Sequence, residues 1–347
     1  MDEAPRRPRP LDELVLTVVV DNGTDTLSSV ADGVPELPEV VGHVLRRAPV
    51  ELPAGEEGVE VFGHLCVACH GFSVLATGRV GDEEHTVLFD AGPYGDVWVD
   101  NAERLGLDLA AVEAVFLSHW HWDHSGALPD AVGAISTARA AAGLDAPVVV
   151  DLHPDRPDQR GTGAPGRRMV LLPPEPTLAA LESAGGRVEN HAEAHLLAGG
   201  FFLGSGEIPR RTAYETGLPG HRTIRGGEVV DDPLILDERY LAAVVRGRGT
   251  TVLSACSHAG VVNACLAAAE ATGEPIDLVL GGYHLAGAAM EPRIGDTVRD
   301  LRDLVAPTLV APGHCTGWRA EVALADAFGA SYAPSAVGAR YTLSAVG

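Results

Sequence analysis

Three histidines and an aspartate fall within six residues, in the run Ser118-His119-Trp120-His121-Trp122-Asp123-His124-Ser125-Gly126. The run follows an apolar stretch, Val112 to Leu117, that reads as a buried strand, and precedes an Ala-rich helix expected over Gly126 to Ala142. Side chains alternate along an extended segment, so His119 and His121 share one side of it. Asp123 and His124 stand at the turn into the helix and face a neighbouring point. Such a segment can hold two cations a few ångströms apart. Imidazole donors favour zinc or iron over calcium or magnesium.

One loop cannot close a dinuclear site, so further donors are expected at other strand ends. Three histidines meet that expectation. Cys256-Ser257-His258 follows the run Thr250 to Leu253, His284 follows Ile276 to Leu280, and His314 follows Thr308 to Val310. In layered α/β proteins ligands bind beyond the carboxyl ends of strands. His258 and His314 therefore read as metal ligands, and His284 as a ligand, a substrate contact or a support for other ligands.

The surrounding pattern alternates strands and helices, which indicates α/β layering. Leu14 to Val20 is β-branched and ends at Asp21-Asn22-Gly23. Phe72 to Thr77 and Thr86 to Phe89 form a hairpin about Gly81-Asp82, and Asp96 to Leu105 has helical spacing. Val148 to Asp151 and Met169 to Leu172 read as short strands, with more strands expected in Arg187 to Leu203. Leu241 to Arg246 and Thr250 to Leu253 pair across Gly247-Arg248-Gly249. Helices over Val261 to Ala271, Thr297 to Val305 and Arg319 to Phe328 alternate with the later strands. Residues 1–11 are expected to be a disordered tail. The remainder, 12–347, reads as a single domain with structureless, lid-like stretches near 21–62 and 204–230.

Composition excludes several classes. All 25 basic residues are arginine, so a lysine Schiff base or a P-loop lysine is impossible. The net charge of −23 lacks the basic face that nucleic acid requires. No apolar run is long enough to span a membrane, and the first ten residues lack a signal-peptide core. The five scattered cysteines fit a reducing cytoplasm, where the protein is expected to reside. A small-molecule substrate is the expected partner, with oligomeric state open and a homodimer among the options.

The His-x-His-x-Asp-His run, preceded by Phe89-Asp90-Ala91-Gly92 after a strand, resembles the metallo-β-lactamase fold superfamily. Asp21-Asn22, Gly206-Glu207-Ile208-Pro209-Arg210, Cys256-Ser257-His258-Ala259-Gly260, Gly281-Gly282-Tyr283-His284-Leu285 and Pro312-Gly313-His314-Cys315-Thr316-Gly317 extend the match over residues 12–330. They resemble the branch of metal-dependent hydrolases labelled 7,8-dihydropterin-6-methyl-4-(β-D-ribofuranosyl)aminobenzene 5′-phosphate synthase. The resemblance implies an αββα sandwich, two sheets flanked by helices, with one or two Zn2+ (iron or manganese as alternatives) where the sheets meet. It implies His119 and His121 on the first metal, Asp123 and His124 on the second, and His314 as the last histidine ligand. The usual third-motif histidine has no clear counterpart; Glu207 or His195 lies in that region, and His258 could substitute. Cys256 takes the place of the usual bridging aspartate, where a thiolate would favour a soft metal or a single occupied site. Asp90 would orient a ligand histidine through its ring N–H.

The expected activity is hydrolysis of a small-molecule ester, amide, lactone or phosphoester. The metal would lower the pKa of its water from 15.7 toward about 7, and Asp123 would orient or deprotonate that water. Asp21, Arg210 and Arg211 are the candidate substrate contacts. Trp120 and Trp122 are expected to pack. Competing readings are a synthase forming a C–N bond on a pterin- or aminobenzoate-type substrate, a di-iron redox enzyme, and a non-catalytic metal-binding protein.

Overall fold

In the computed structural model, the described residues are 7–25, 49–60, 62–163, 166 and 168–347. Two large sheets face each other. The seven-stranded one runs in the order Gly186–Asn190, Val148–Leu152, Val112–Phe116, Glu83–Phe89, Ser73–Val80, Glu13–Val20, Arg340–Ser344. The six-stranded one runs His195–Leu197, Phe202–Gly204, Leu241–Val245, Gly249–Ser254, Ile276–Gly282, Leu309–Gly313.

Strand periodicity decides which side chain enters which layer. From Glu13–Val20, Leu14, Leu16 and Val18 enter the core between the sheets, where they join Val74, Phe89, Phe116, Leu253, Leu278 and Leu280. The opposite face of the first sheet sends Leu75, Leu88 and Val115 against Trp98 and Leu128, on the helices Gly95–Arg104 and Leu128–Ala141. The outer face of the second sheet packs Val252 and Val279 on Val262, Leu301 and Leu324, contributed by Val261–Thr272, a wide turn over Leu301–Val305, and Trp318–Phe328. The layers are therefore helix, sheet, sheet, helix, the expected αββα sandwich. Each fully buried Leu, Val or Phe contributes about 1.5–3 kcal/mol, so the three apolar layers hold the strand ends rigidly.

The strands that carry site residues are parallel within their sheets. Glu83–Phe89, Val112–Phe116 and Val148–Leu152 are in parallel register, as are Gly249–Ser254, Ile276–Gly282 and Leu309–Gly313. Pairings such as Phe89 with Phe116, Ser254 with Gly281 and Gly282 with Gly313 bring their carboxyl ends level.

Two expectations need correction. The stretch 204–230 is not structureless: His221–Arg225 and Glu228–Asp231 form a hairpin about Gly226-Gly227. With Gln159–Thr162 and Val170–Leu171 it builds a separate four-stranded sheet. The helix expected over Gly126 to Ala142 runs Leu128–Ala141, with Pro129 in its first turn, where a missing N–H costs nothing, and a separate helical turn, Trp122–Ser125, precedes it. Within the expected tail the Arg9 N–H donates to the Gly200 carbonyl and Leu11 is fully buried, so residues 9–11 are docked, while residues 1–6 lie outside the described residues. Of the stretch 21–62, residues 26–48 and 61 lie outside the described residues.

Candidate metal centre

The site is built at sharp reversals. Asp90, Ser257, His284 and His314 all take left-handed backbone, with φ of 56°, 60°, 46° and 46°. Each such residue costs about 1–3 kcal/mol, a strain that clusters where side chains must converge. Gly313 is required for close approach, because a Cβ there would collide with the Asp21 carboxylate.

Two donor groups abut. In one, Asp123, His124, Cys256 and His314 place ligand atoms within 4.8 Å of one another; in the other, His119, Cys256 and His258 do the same. His121 adjoins the second group, its Nδ1 3.0 Å from His119 Nε2 and 3.2 Å from His258 Nε2. His124 Nε2 lies 3.3 Å from Cys256 Sγ, and His314 Nε2 lies 3.3 Å from Asp123 Oδ2. Cys256 belongs to both groups, so its sulfur stands between them. A third group joins Cys256 to His284 and Cys315, with Cys315 Sγ 3.5 Å from Cys256 Sγ.

Supporting residues aim the rings. Asp90 accepts from Ser118 N at 2.7 Å and Ser118 Oγ at 2.7 Å, and stands 2.8 Å from His124 Nδ1. Ser118 Oγ in turn lies 2.9 Å from His119 Nδ1. Both rings are thus held at Nδ1 and turn Nε2 inward, the arrangement that fixes a metal-binding tautomer. Asp21, entered above as a substrate contact, is instead a buried anchor. It accepts from the backbone N–H of Asn22 and His314 and from Ser335 Oγ, at 2.6, 2.7 and 2.5 Å. Glu238 accepts from the backbone N–H of His258 and Ala259, fixing that turn from below.

Burial first, then crowding by neighbouring imidazoles, pushes His119, His121 and His258 well below 6.5, so these rings are neutral near pH 7 with lone pairs free. Burial also penalises the Asp123 carboxylate, but His124 and His314 outweigh it and hold the group well below the usual carboxylate range. Burial opposes a charge on His124, yet Asp123 and Asp90 raise it to about 9. Burial, reinforced by Cys315, lifts the Cys256 thiol well above its ordinary value.

A divalent cation fits this donor set. His314 Nε2 and His258 Nδ1 are buried with no hydrogen-bond partner, and neutral imidazole nitrogens face each other at 2.9–3.2 Å. Imidazole, carboxylate and thiolate together are the ligands of zinc-class ions.

Sequence reasoning missed two residues. His221 Nε2 lies 2.9 Å from His121 Nε2, with its own Nδ1 2.6 Å from the Asp232 carbonyl oxygen. It fills the neighbourhood for which Glu207, His195 and His258 were the candidates. The only available sign was the hairpin signature at Gly226-Gly227. His70 stacks on His314 with centroids 4.7 Å apart, its Nε2 3.5 Å from Asp123 Oδ2. Its exposed ring stands at the solvent side.

Other candidates lie elsewhere. Glu207 is exposed and lines a separate cavity of about 600 Å³ with Arg211 and Tyr240. His195 pairs with Asp151. Arg211 pairs with Glu270, whereas Arg210 donates to the Leu234 carbonyl and keeps its Nε without a hydrogen-bond partner. Trp120 is fully buried, its Nε1 donating to the His153 carbonyl at 3.1 Å. Among the described residues no helix is long and apolar enough to cross a membrane.

Comparison with known proteins agrees with this architecture. Residues 67–233 match the model of the metallo-β-lactamase superfamily. The chain is 27% identical over 255 residues to the 7,8-dihydropterin-6-methyl-4-(β-D-ribofuranosyl)-aminobenzene-5′-phosphate synthase of Methanocaldococcus jannaschii, covering 73% of this chain and 82% of that one. A crystal structure described as a metal-dependent hydrolase of the β-lactamase superfamily superposes with a TM-score of 0.67 at 23% identity, covering 95% and 99% of the two chains. The metallo-β-lactamase fold protein YhfI of Bacillus subtilis gives 0.50 at 12% identity, covering 96% and 100%. The match over residues 67–233 makes this chain similar to the metallo-β-lactamase superfamily, and the solved structures share its fold.

Proposed function

We propose that the protein is a zinc-dependent hydrolase of a small-molecule ester, amide, lactone or phosphoester. The observation that carries this reading is the pair of abutting donor groups sharing Cys256. A structural metal is normally closed by four protein ligands, whereas this set is oversupplied and lies at strand ends. His119, His121 and His258, with His221 adjoining, would hold one cation; Asp123, His124 and His314 would hold the other. Bound there, the cations would supply Lewis acidity and lower the pKa of a bound water.

The chain's own residues do the rest. Asp123, with its side chain 19% exposed, turns Oδ2 toward His124, His314 and His70, and would orient the attacking water and take its proton at that oxygen. Asp90 and Ser118 keep the two ligand rings from rotating. Asn22, whose Nδ2 donates to the His314 carbonyl at 2.9 Å, steadies the last strand end.

The relative at 27% identity is named a synthase, which favours a second reading, bond formation on a pterin- or aminobenzoate-type substrate with the same donors. A panel of generic esters, lactams, lactones and phosphodiesters, with zinc loaded, separates the two. We expect turnover of at least one class, lost on chelation and in Asp123→Asn. Full metal loading with no class turned over refutes the hydrolase reading, and consumption of a pterin–aminobenzoate pair would then favour the synthase.

A further inference from the structure

We propose that Asp151, His191 and His195 form an additional binding site for a divalent transition-metal ion of the zinc class, sharing no ligand with the centre described above. One ligand atom from each lies within 4.8 Å of the others. His195 Nε2 stands 2.6 Å from Asp151 Oδ2, and His191 Nδ1 stands 3.0 Å from the same oxygen. The other carboxylate oxygen, Oδ1, accepts from Arg239 at 2.8 Å, so Oδ2 alone is directed at the rings. The rings stack with centroids 3.8 Å apart and 20° between planes, which turns their nitrogen edges the same way.

Hydrogen bonding leaves this cluster unfinished. His191 Nδ1 is buried with no hydrogen-bond partner, although it faces a carboxylate oxygen. Leaving a buried polar atom so is unfavourable, and a cation shared between the two imidazoles and Oδ2 would satisfy it. The cluster opens on a cavity of about 280 Å³, which Glu113 and Glu189 also line. That space admits the waters needed to complete a coordination shell, and its carboxylates favour positive charge. Two imidazoles with one carboxylate select zinc, cobalt or nickel over magnesium or calcium.

The position gives such an ion a consequence. Asp151 belongs to a strand of the seven-stranded sheet, and His195 opens the edge strand of the six-stranded sheet. His191, in the connection between them, donates its backbone N–H to the Leu152 carbonyl. An ion here would tie the two sheets together at their edge and raise the melting temperature through linkage.

The test is equilibrium dialysis of the full-length protein against Co2+ and Zn2+, with metal counted per chain in the native protein, His191→Gln, His195→Gln and the double variant. We expect each variant to bind one equivalent fewer than the native protein, and the zinc-induced rise in melting temperature to shrink in the double variant. Equal stoichiometry in folded variants overturns the proposal. Should the variants fail to fold, crystals of the unmodified protein soaked in Co2+ decide. An anomalous peak in contact with Asp151 Oδ2 and both rings supports the site; its absence while the main centre is filled overturns it. A site that fills with Mg2+ and not Co2+ overturns the assigned class of ion.

Discussion

Asp90→Asn probes how the main centre is aimed. Asparagine tolerates left-handed backbone, so the turn at φ 56° survives. Its oxygen can still accept from Ser118 N, but its amide nitrogen replaces the oxygen that faces Ser118 Oγ and His124 Nδ1. His124 must then present a lone pair from Nδ1 and carry its proton on Nε2, the atom 3.3 Å from Cys256 Sγ. That nitrogen is lost to a metal. Removing such a supporting contact costs roughly 10–100-fold in metal affinity, or about 1.4–2.7 kcal/mol. The assay is competition of zinc-loaded protein against a chromophoric chelator, resolving the two equivalents. The equivalent held by Asp123, His124 and His314 should weaken by that factor, while the one beside His119 changes less. Unchanged affinity for both equivalents in a folded Asp90→Asn protein refutes the reasoning.

Cys256→Ser should weaken the ultraviolet thiolate charge-transfer band of the cadmium-loaded protein, whereas Cys256→Asp should shift preference toward harder ions such as Mn2+, read by metal competition. His221→Gln should weaken zinc in the group containing His121 by roughly 10–100-fold, measured with the same chelator; no change would make His221 a bystander. Glu175 is pushed up to about 7 by burial, against the opposing effects of Ser125 and Arg160. Its folded value exceeds its unfolded value near 4.5, so its contribution is most favourable at low pH and is lost as pH rises from about 4.5 to about 7. The difference amounts to about 3 kcal/mol. Glu175→Gln should remove that slope from the pH dependence of unfolding free energy and leave the variant more stable relative to native protein at pH 8 than at pH 5.

The cluster at His119–His124 was legible because donors at fixed spacing between a strand and a helix admit few other uses. His258 and His314 were legible as strand-end residues, since each follows a buried apolar run. Residues whose role depends on distant partners were not. Asp21 looks like a loop carboxylate until His314 and Ser335, some three hundred positions away, are brought against it. Arg211 looks like an anion grip until Glu270 pairs with it. His221 escaped because its hairpin is short, exposed on one strand and weakly alternating, so 204–230 read as a loop. The small sheet that carries it is set by pairing with Gln159–Thr162, which no local pattern announces.

The direct test is anomalous diffraction at the zinc edge from crystals of the purified, catalytically competent protein. The account predicts density bounded by His119, His121 and His258, and density bounded by Asp123, His124 and His314, with the Cys256 sulfur within reach of both. Turnover by protein with no metal density at either position would contradict it.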